Sequence, residues 1–398
     1  MSVTSPLGFA AAGMSAGLKP SGHPDLGLLI GQPGTTVAGL FTTNRVAAAP
    51  VHLTRASIAA GHGRAVIVNA GQANAATGAR GDADARSVVV ATAEALRMEP
   101  ADVLACSTGV IGEPVHMEPL LEGVPILAGA LTPGGGPAFA RAIMTTDTVV
   151  KQASADAGVF RVGGCAKGVG MIAPHLATML AFVTTDARVA RHDLQRLAND
   201  QLKERFNALT VDGCTSTNDT VLLFASGAAP GVPAVTPDTP AWDELSVAIA
   251  EVGSSLAGQL IADGEGVSHV MLVDIAGASS ERDARVVAKA VADSPLVKTA
   301  AFGGDPNPGR ILQAVGASGV DVDAATIDIA IGGVHVVEGG TIPAAYFEND
   351  TLSSAARVAM KESEIHIEVS IGSGPGASRA LGCDLSYDYV RINGEYTT

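Results

Sequence analysis

Apolar positions along this chain follow two rhythms. Short continuous runs at 26–30, 37–41 and 65–68 read as buried strands, whereas 84–98 carries apolar residues at helical intervals and stops before Pro100. The first part is therefore α/β. Beyond a Gly/Pro-rich loop at 129–137, a strand at 159–163 leads into a turn headed by Lys167, and 178–184 reads as the next strand. Leu194, Leu197, Ala198 and Leu202 recur at helical spacing within 191–206, and 221–225 is another continuous apolar strand. Residues 228–240 hold Pro230, Pro233, Pro237 and Pro240 and form a linker; the helix beyond buries Leu245, Ile249, Val252 and Leu256 on one face. From 268 onwards strands dominate, at 270–275, 326–331, 365–371 and 385–392, with helices near 281–292 and 352–360.

Strands and helices mix without a regular βαβ rhythm, which predicts a layered α/β sandwich and argues against a Rossmann domain or a TIM barrel. At 398 residues the chain is too long for one ordinary domain, so two lobes are expected. Lys and Arg number 25 against 40 Asp and Glu, and the net charge of −15 repels phosphate backbones and anionic lipid. Nucleic acid and membrane surfaces are thereby poor partners. Cys106, Cys165, Cys214 and Cys383 form no C-x-x-C or His pairing; they read as reduced, mostly buried thiols of a cytoplasmic protein, with no zinc site or disulfide framework. The N-terminal segment has no basic region before its apolar stretch, and the longest apolar run, 172–183, is broken by Pro174 and His175 and is too short to span a bilayer. Neither G-x-G-x-x-G nor G-x-x-x-x-G-K-[ST] occurs, so no nucleotide cofactor or metal is expected.

The chemistry-bearing segment is Lys167-Gly-Val-Gly-Met-Ile-Ala-Pro-His-Leu-Ala-Thr-Met-Leu180. It sets Thr178 after the small residue Ala177, just past a glycine-rich turn and a proline. Attack of Thr178 Oγ on the Ala177 carbonyl would turn the peptide into an ester, and hydrolysis would leave Thr178 as a new N-terminus. Nucleophile and base would then share one residue, because an α-amine with a pKa of about 7.7–8 is partly neutral near pH 7. On the local pattern alone, a β-branched residue in a buried strand is the better fit.

Blocks along nearly the whole chain widen the pattern: Phe41-Thr-Thr-Asn44, Asn69-Ala-Gly-Gln-Ala-Asn74, Ser107-Thr-Gly-Val-Ile-Gly112, Ile143-Met-Thr-Thr-Asp-Thr148, Ser216-Thr-Asn-Asp-Thr220, Asp263-Gly-Glu-Gly266, Ser294-Pro-Leu-Val-Lys-Thr299, Asp305-Pro-Asn307 and Asn393-Gly-Glu-Tyr-Thr-Thr398. Together with the Lys167 segment they resemble the ornithine acetyltransferase family, the bifunctional glutamate N-acetyltransferases of arginine biosynthesis. Two positions depart from that family: His175 stands where Asn, Asp or Ser is usual, and Pro308 replaces a usual Trp.

The resemblance implies a self-processing α/β/β/α sandwich, shared with certain aminopeptidases, with a second, smaller lobe. It also implies scission between Ala177 and Thr178 into chains 1–177 and 178–398, assembled as a heterotetramer of two of each. The implied reaction moves acetyl from N2-acetyl-L-ornithine to L-glutamate through an acyl-threonine on Thr178, with Thr108 and Gly109 as the oxyanion hole. Thr146, Lys167, Thr178, Glu265, Asn393 and Thr398 would bind substrate. Whether acetyl-CoA also serves as donor stays open. So do a hydrolase of the same processing type, in which water resolves the acyl-enzyme, and a noncatalytic protein that keeps the fold uncut.

Overall fold

A computed structural model describes residues 2–172, 179–348 and 351–395. The chain forms two compact units, the larger from residues up to 207 together with 214–260, the smaller from 208–213 and 261 onwards.

Among the described residues, nine strands build the larger unit: β1 (Phe9–Met14), β2 (Leu26–Gly31), β3 (Thr36–Phe41), β4 (Ala65–Gln72), β5 (Val103–Val110), β6 (Lys151–Ala157), β7 (Phe160–Lys167), β8 (Leu180–Thr185) and β9 (Thr220–Ala225). They pair as two sheets, β1-β2-β4-β5 and β3-β9-β8-β7-β6. Side chains from both sheets share one core: Phe9, Leu29, Val66, Val68 and Leu104 belong to the first sheet, and Val37, Cys165, Leu180, Phe182, Leu222 and Phe224 to the second. Phe182 meets Phe139, from the helix Gly136–Ala142, edge to face at 5.1 Å. The outer face of the first sheet, with Leu26, Leu28, Ile67, Val103 and Ala105, packs under the helices Gly78–Leu96 and Met117–Gly129 through Val88, Val89, Ala93, Leu120, Val124 and Leu127.

The second sheet is covered in turn by the helix Pro240–Ala262. Its residues Leu245, Ile249, Val252 and Leu256 are buried, and Val252 and Leu256 lie so close to Gly164 of β7 that a Cβ there would meet them at 3.0 Å. This helix is long and apolar enough to cross a membrane by length and composition, but half of its most apolar window is buried inside the protein. The layers thus run helix, sheet, sheet, helix. Because β8 and β9 are covered on both faces, every residue of both is buried, which is why they read as unbroken apolar runs.

The smaller unit carries β10 (Val270–Ala278), β11 (Asp328–Ile331), β12 (Val334–Val337), β13 (Glu364–Ser370) and β14 (Gly376–Cys383), in the order β12-β11-β13-β10-β14. Burial alternates along β13: Ile365, Ile367 and Val369 join the core under the helix Glu281–Asp293, while Glu364, His366 and Glu368 are exposed. Pro308 takes the first turn of the helix Pro308–Gly316, behind the cap residue Asn307, whose side chain accepts from Arg310 N. An N–H there has no helical partner, so proline fits without loss.

One element corrects the expectation from sequence. Residues 385–392 were expected as a strand, yet Tyr387–Glu395 is a helix. Ser386 Oγ accepts from Tyr389 N at 3.2 Å, the bond of an N-terminal cap, and donates to Gly266 O at 2.6 Å. The alternation of Leu385, Tyr387 and Tyr389 with Ser386 and Asp388 imitated a strand, and the capping serine decided otherwise.

Candidate active site

Thr108 and Gly109 lie near the end of β5, paired in parallel with Ala70 and Gly71 of β4. Gly109 adopts φ +128°, and a Cβ on it would stand 2.2 Å from the backbone of Gly71. No other residue fits there. Thr108 is buried, and its Oγ1 accepts a hydrogen bond from Lys167 Nζ at 3.1 Å. Since the oxygen receives from an ammonium, the hydroxyl hydrogen is directed elsewhere, and polarisation makes it a stronger donor.

Lys167 ends β7, only 2% exposed, and donates also to Thr145 Oγ1 at 2.7 Å. It pairs across the sheet with Leu180, two residues beyond Thr178. Thr146 is half-buried in the loop between the helix Gly136–Ala142 and β6, flanked by Thr145 and Asp147. Asp147 accepts from Lys151 Nζ at 2.7 Å, from Gly168 N at 2.8 Å and from Thr145 N at 3.0 Å. Both side chains of the Asp147–Lys151 pair are fully enclosed. Burial by itself would push the Asp147 carboxyl up, but Lys167 and Lys151 together hold it below the usual carboxylate range.

Lys19 completes a group of three lysines. Its ammonium donates to Pro24 O and Met144 O, and burial brings it down to about 8; Asp25 and Asp147 oppose that shift and Lys167 adds to it. The backbone beyond Lys167 turns through left-handed positions at Gly168 (φ +144°) and Met171 (φ +53°).

Met179, where description resumes, is held at both ends. Its N–H donates to Asp219 Oδ1 at 3.0 Å and its carbonyl accepts from Thr220 N at 3.1 Å. Asp219 is completely buried, and burial raises its carboxyl well above the usual range despite Met179 N–H and Lys167. Around it the polar blocks interlock: Thr42 N donates to Asp219 O, Thr42 Oγ1 to Ser216 O, and Asn218 Nδ2 to Ala73 O and Ser107 O, while Ser107 Oγ donates to Asn69 Oδ1. These bonds join the two sheets beside Thr108.

In the smaller unit Glu265 is half-buried and accepts from Asn393 Nδ2 at 2.9 Å. The adjoining Gly266 (φ +69°) abuts Tyr389 N, where a Cβ would stand 2.4 Å away. The larger unit therefore gathers Thr108, Gly109, Thr146 and Lys167, and the smaller gathers Glu265 and Asn393. Ala177, Thr178 and Thr398, like His175, lie outside the described residues. Lys19, Thr145, Asp147, Lys151 and Asp219 were not singled out from sequence. Their signal was a charged or hydroxyl residue inside an otherwise apolar or family-like block.

Residues 10–398 match the profile of the ArgJ family. Arginine biosynthesis bifunctional protein ArgJ of Thermosynechococcus vestitus is 44% identical over 100% of this chain and 98% of its own length, and that of Caldanaerobacter subterraneus 43% over 99% and 98%. A crystal structure of the protein of that name from Bacillus halodurans is 41% identical, with a TM-score of 0.51, over 54% of this chain and 98% of its own. Ornithine acetyltransferase of Mycobacterium tuberculosis, solved in complex with ornithine, is 45% identical over 44% of this chain and 94% of its own, with a TM-score of 0.43. The fold is of the layered α/β/β/α kind, and the relatives place the chain among acyl-transferring enzymes. The chain belongs to the ArgJ family, the bifunctional acetyltransferases of arginine biosynthesis.

Proposed function

We propose that the chain cuts itself between Ala177 and Thr178 and that Thr178 then carries acetyl from N2-acetyl-L-ornithine to L-glutamate. The observation that carries this reading is the meeting of Thr108 with Lys167, which pairs with the strand that begins just after Thr178. Thr178 Oγ attacks the acetyl carbonyl while its own α-amine takes the hydroxyl proton. The tetrahedral oxygen receives the Thr108 O–H and Gly109 N–H. Collapse expels ornithine, whose amine takes the proton back, and the glutamate amine then attacks the acyl-threonine through the same steps in reverse.

Lys19, Lys151 and Lys167 stand against the carboxylates of Asp147 and Asp25, a positive excess suited to a substrate carboxylate, and burial raises the Asp219 carboxyl well above the usual range. Lys167 and Thr146 are assigned to that carboxylate, Glu265 with Asn393 to the ornithine side-chain ammonium, and Thr398 to substrate binding. No resident cofactor is required; acetyl-CoA is assigned as an alternative donor. The length of the B. halodurans chain supports scission: it covers a share of this chain close to that lying after residue 177. The mature enzyme is read as a cytoplasmic heterotetramer of two 1–177 and two 178–398 chains.

Intact-mass measurement of purified protein tests the scission. Two fragments divided at 177/178 are expected from the wild type and one uncut chain, without acetyl transfer, from Thr178→Ala; a Thr178→Ala protein that still divides there removes Thr178 as the nucleophile.

A further inference from the structure

Lys19 stands in the connection between β1 and β2, and that connection is pinned from inside. Asp25, completely buried, accepts from Ala16 N and Leu18 N at 2.6 Å and from Lys19 N at 3.0 Å, while Gln72 Nε2 donates to Leu18 O at 3.1 Å. The Lys19 side chain then bridges two segments, donating to Pro24 O at 2.6 Å and to Met144 O at 2.7 Å. An ammonium carries three N–H groups, so one remains, and it has no acceptor among the described residues. Thr146 lies two residues beyond Met144, which keeps its Cα within about 7 Å of the Met144 Cα.

We propose that Lys19 is a further substrate-binding residue, whose third N–H receives the α-carboxylate that N2-acetylornithine and glutamate share. This rests on the reading above in which the site around Thr146 and Lys167 takes that carboxylate. Access separates Lys19 from the other two lysines. Lys151 and Lys167 are only 1% and 2% exposed, and Lys167 already donates to Thr108 Oγ1 and Thr145 Oγ1, whereas Lys19 is half-buried. Lys167 lends its field to the carboxylate; Lys19 offers it a hydrogen as well.

Protonation of Lys19 then acts on one position alone. A neutral amine keeps two N–H groups for the two carbonyls and turns a lone pair to where the third N–H stood, so it meets a carboxylate with like polarity. Burial lowers the Lys19 ammonium to about 8; Asp25 on its own loop opposes that shift, Lys167 at the end of β7 adds to it, and Asp147 before β6 opposes it. Asp147, held low by Lys167 and Lys151, keeps its charge across this range, and β4 contributes only the uncharged Gln72. Affinity should therefore fade as pH rises through about 8, and only for ligands that carry the carboxylate.

The probes are N2-acetylornithine and its α-carboxamide, which differ in that one charge. With wild-type protein and glutamate as acceptor, kcat/KM for each donor is followed across neutral and alkaline pH; where the carboxamide turns over too slowly, its inhibition constant serves. The N2-acetylornithine profile should fall above about 8 and the carboxamide profile should not; two profiles of one shape overturn the proposal. In Lys19→Met, kcat/KM for N2-acetylornithine should drop about ten- to a hundredfold, the worth of one charge-assisted hydrogen bond, and lose its alkaline limb, while the carboxamide loses less than about threefold. Equal losses on both donors would make Lys19 a structural residue, and a limb that survives the substitution would belong to another group; either result overturns the assignment. Lys19→Gln, which keeps N–H groups for the two carbonyls, takes the place of Lys19→Met if that variant fails to fold or divide. A wild type that forms no N-acetylglutamate from N2-acetylornithine defeats the acetyl-transfer reading as well; transfer that ignores the donor's charge defeats this inference alone.

Discussion

Thr108 has two hydrogen bonds to manage, one received from Lys167 and one left to give. Replacing it by valine keeps shape but removes both. We expect kcat to fall by about 10²–10³, the usual cost of one oxyanion donor, while KM for N2-acetylornithine changes little. An equal rise in KM with kcat preserved would make Thr108 a ground-state binding group instead. Gly109 is fixed by sterics: Gly109→Ala drives a methyl into the Gly71 backbone, and both thermal stability and division at 177/178 should drop, measured by melting temperature and fragment yield. Asp147 sets a pH dependence. Its folded pKa is lowered, so its contribution to stability is present above the unfolded carboxylate value of about 3.9 and disappears as pH falls through the folded value. Wild type should therefore lose stability steeply in strong acid. Asp147→Asn, which removes the carboxylate that Lys151 Nζ donates to, should be less stable at neutral pH and show a flatter acid limb in denaturation.

Elements were legible to the extent that burial imprinted itself on the hydrophobic pattern. Strands β8 and β9 are enclosed on both faces and appear as runs; β13 is enclosed on one and appears as alternation. Face assignment makes a direct comparison available. Ile367→Ala, on the core side of β13, should cost about 2–5 kcal/mol, whereas His366→Ala on the exposed side should stay within about 0.5 kcal/mol, by denaturant unfolding. The helix Tyr387–Glu395 was illegible because its residue pattern has period two while its backbone obeys the Ser386 cap. Strand β14, with Gly376 and Gly382, lacks the β-branched signal altogether; it forms because β10 offers a partner edge.

For the whole molecule, the kinetic form follows from a single acyl-threonine. Initial rates at several fixed glutamate concentrations should give parallel double-reciprocal lines, and ornithine release should require glutamate beyond one turnover. Intersecting lines would indicate a ternary complex and no acyl-enzyme. Of the site, the sequence by itself determined the candidate nucleophile, the threonine–glycine pair and the lysine before the turn, because hydroxyl, glycine and cation identities are local and the blocks that hold them stand in the order the family uses. It also determined the layered α/β class, since strand and helix periods differ along the chain. Only the tertiary structure decided that Lys167 is buried on Thr108 and not a solvated turn lysine, that Asp147 and Lys151 neutralise each other nearby, and that Asp219 grips the residue following Thr178. The physical reason is distance along the chain. Thr108 and Lys167 are 59 residues apart, and Met179 and Asp219 are 40 apart. Sheet pairing closes those separations, and burial then sets the charge of the groups it brings together.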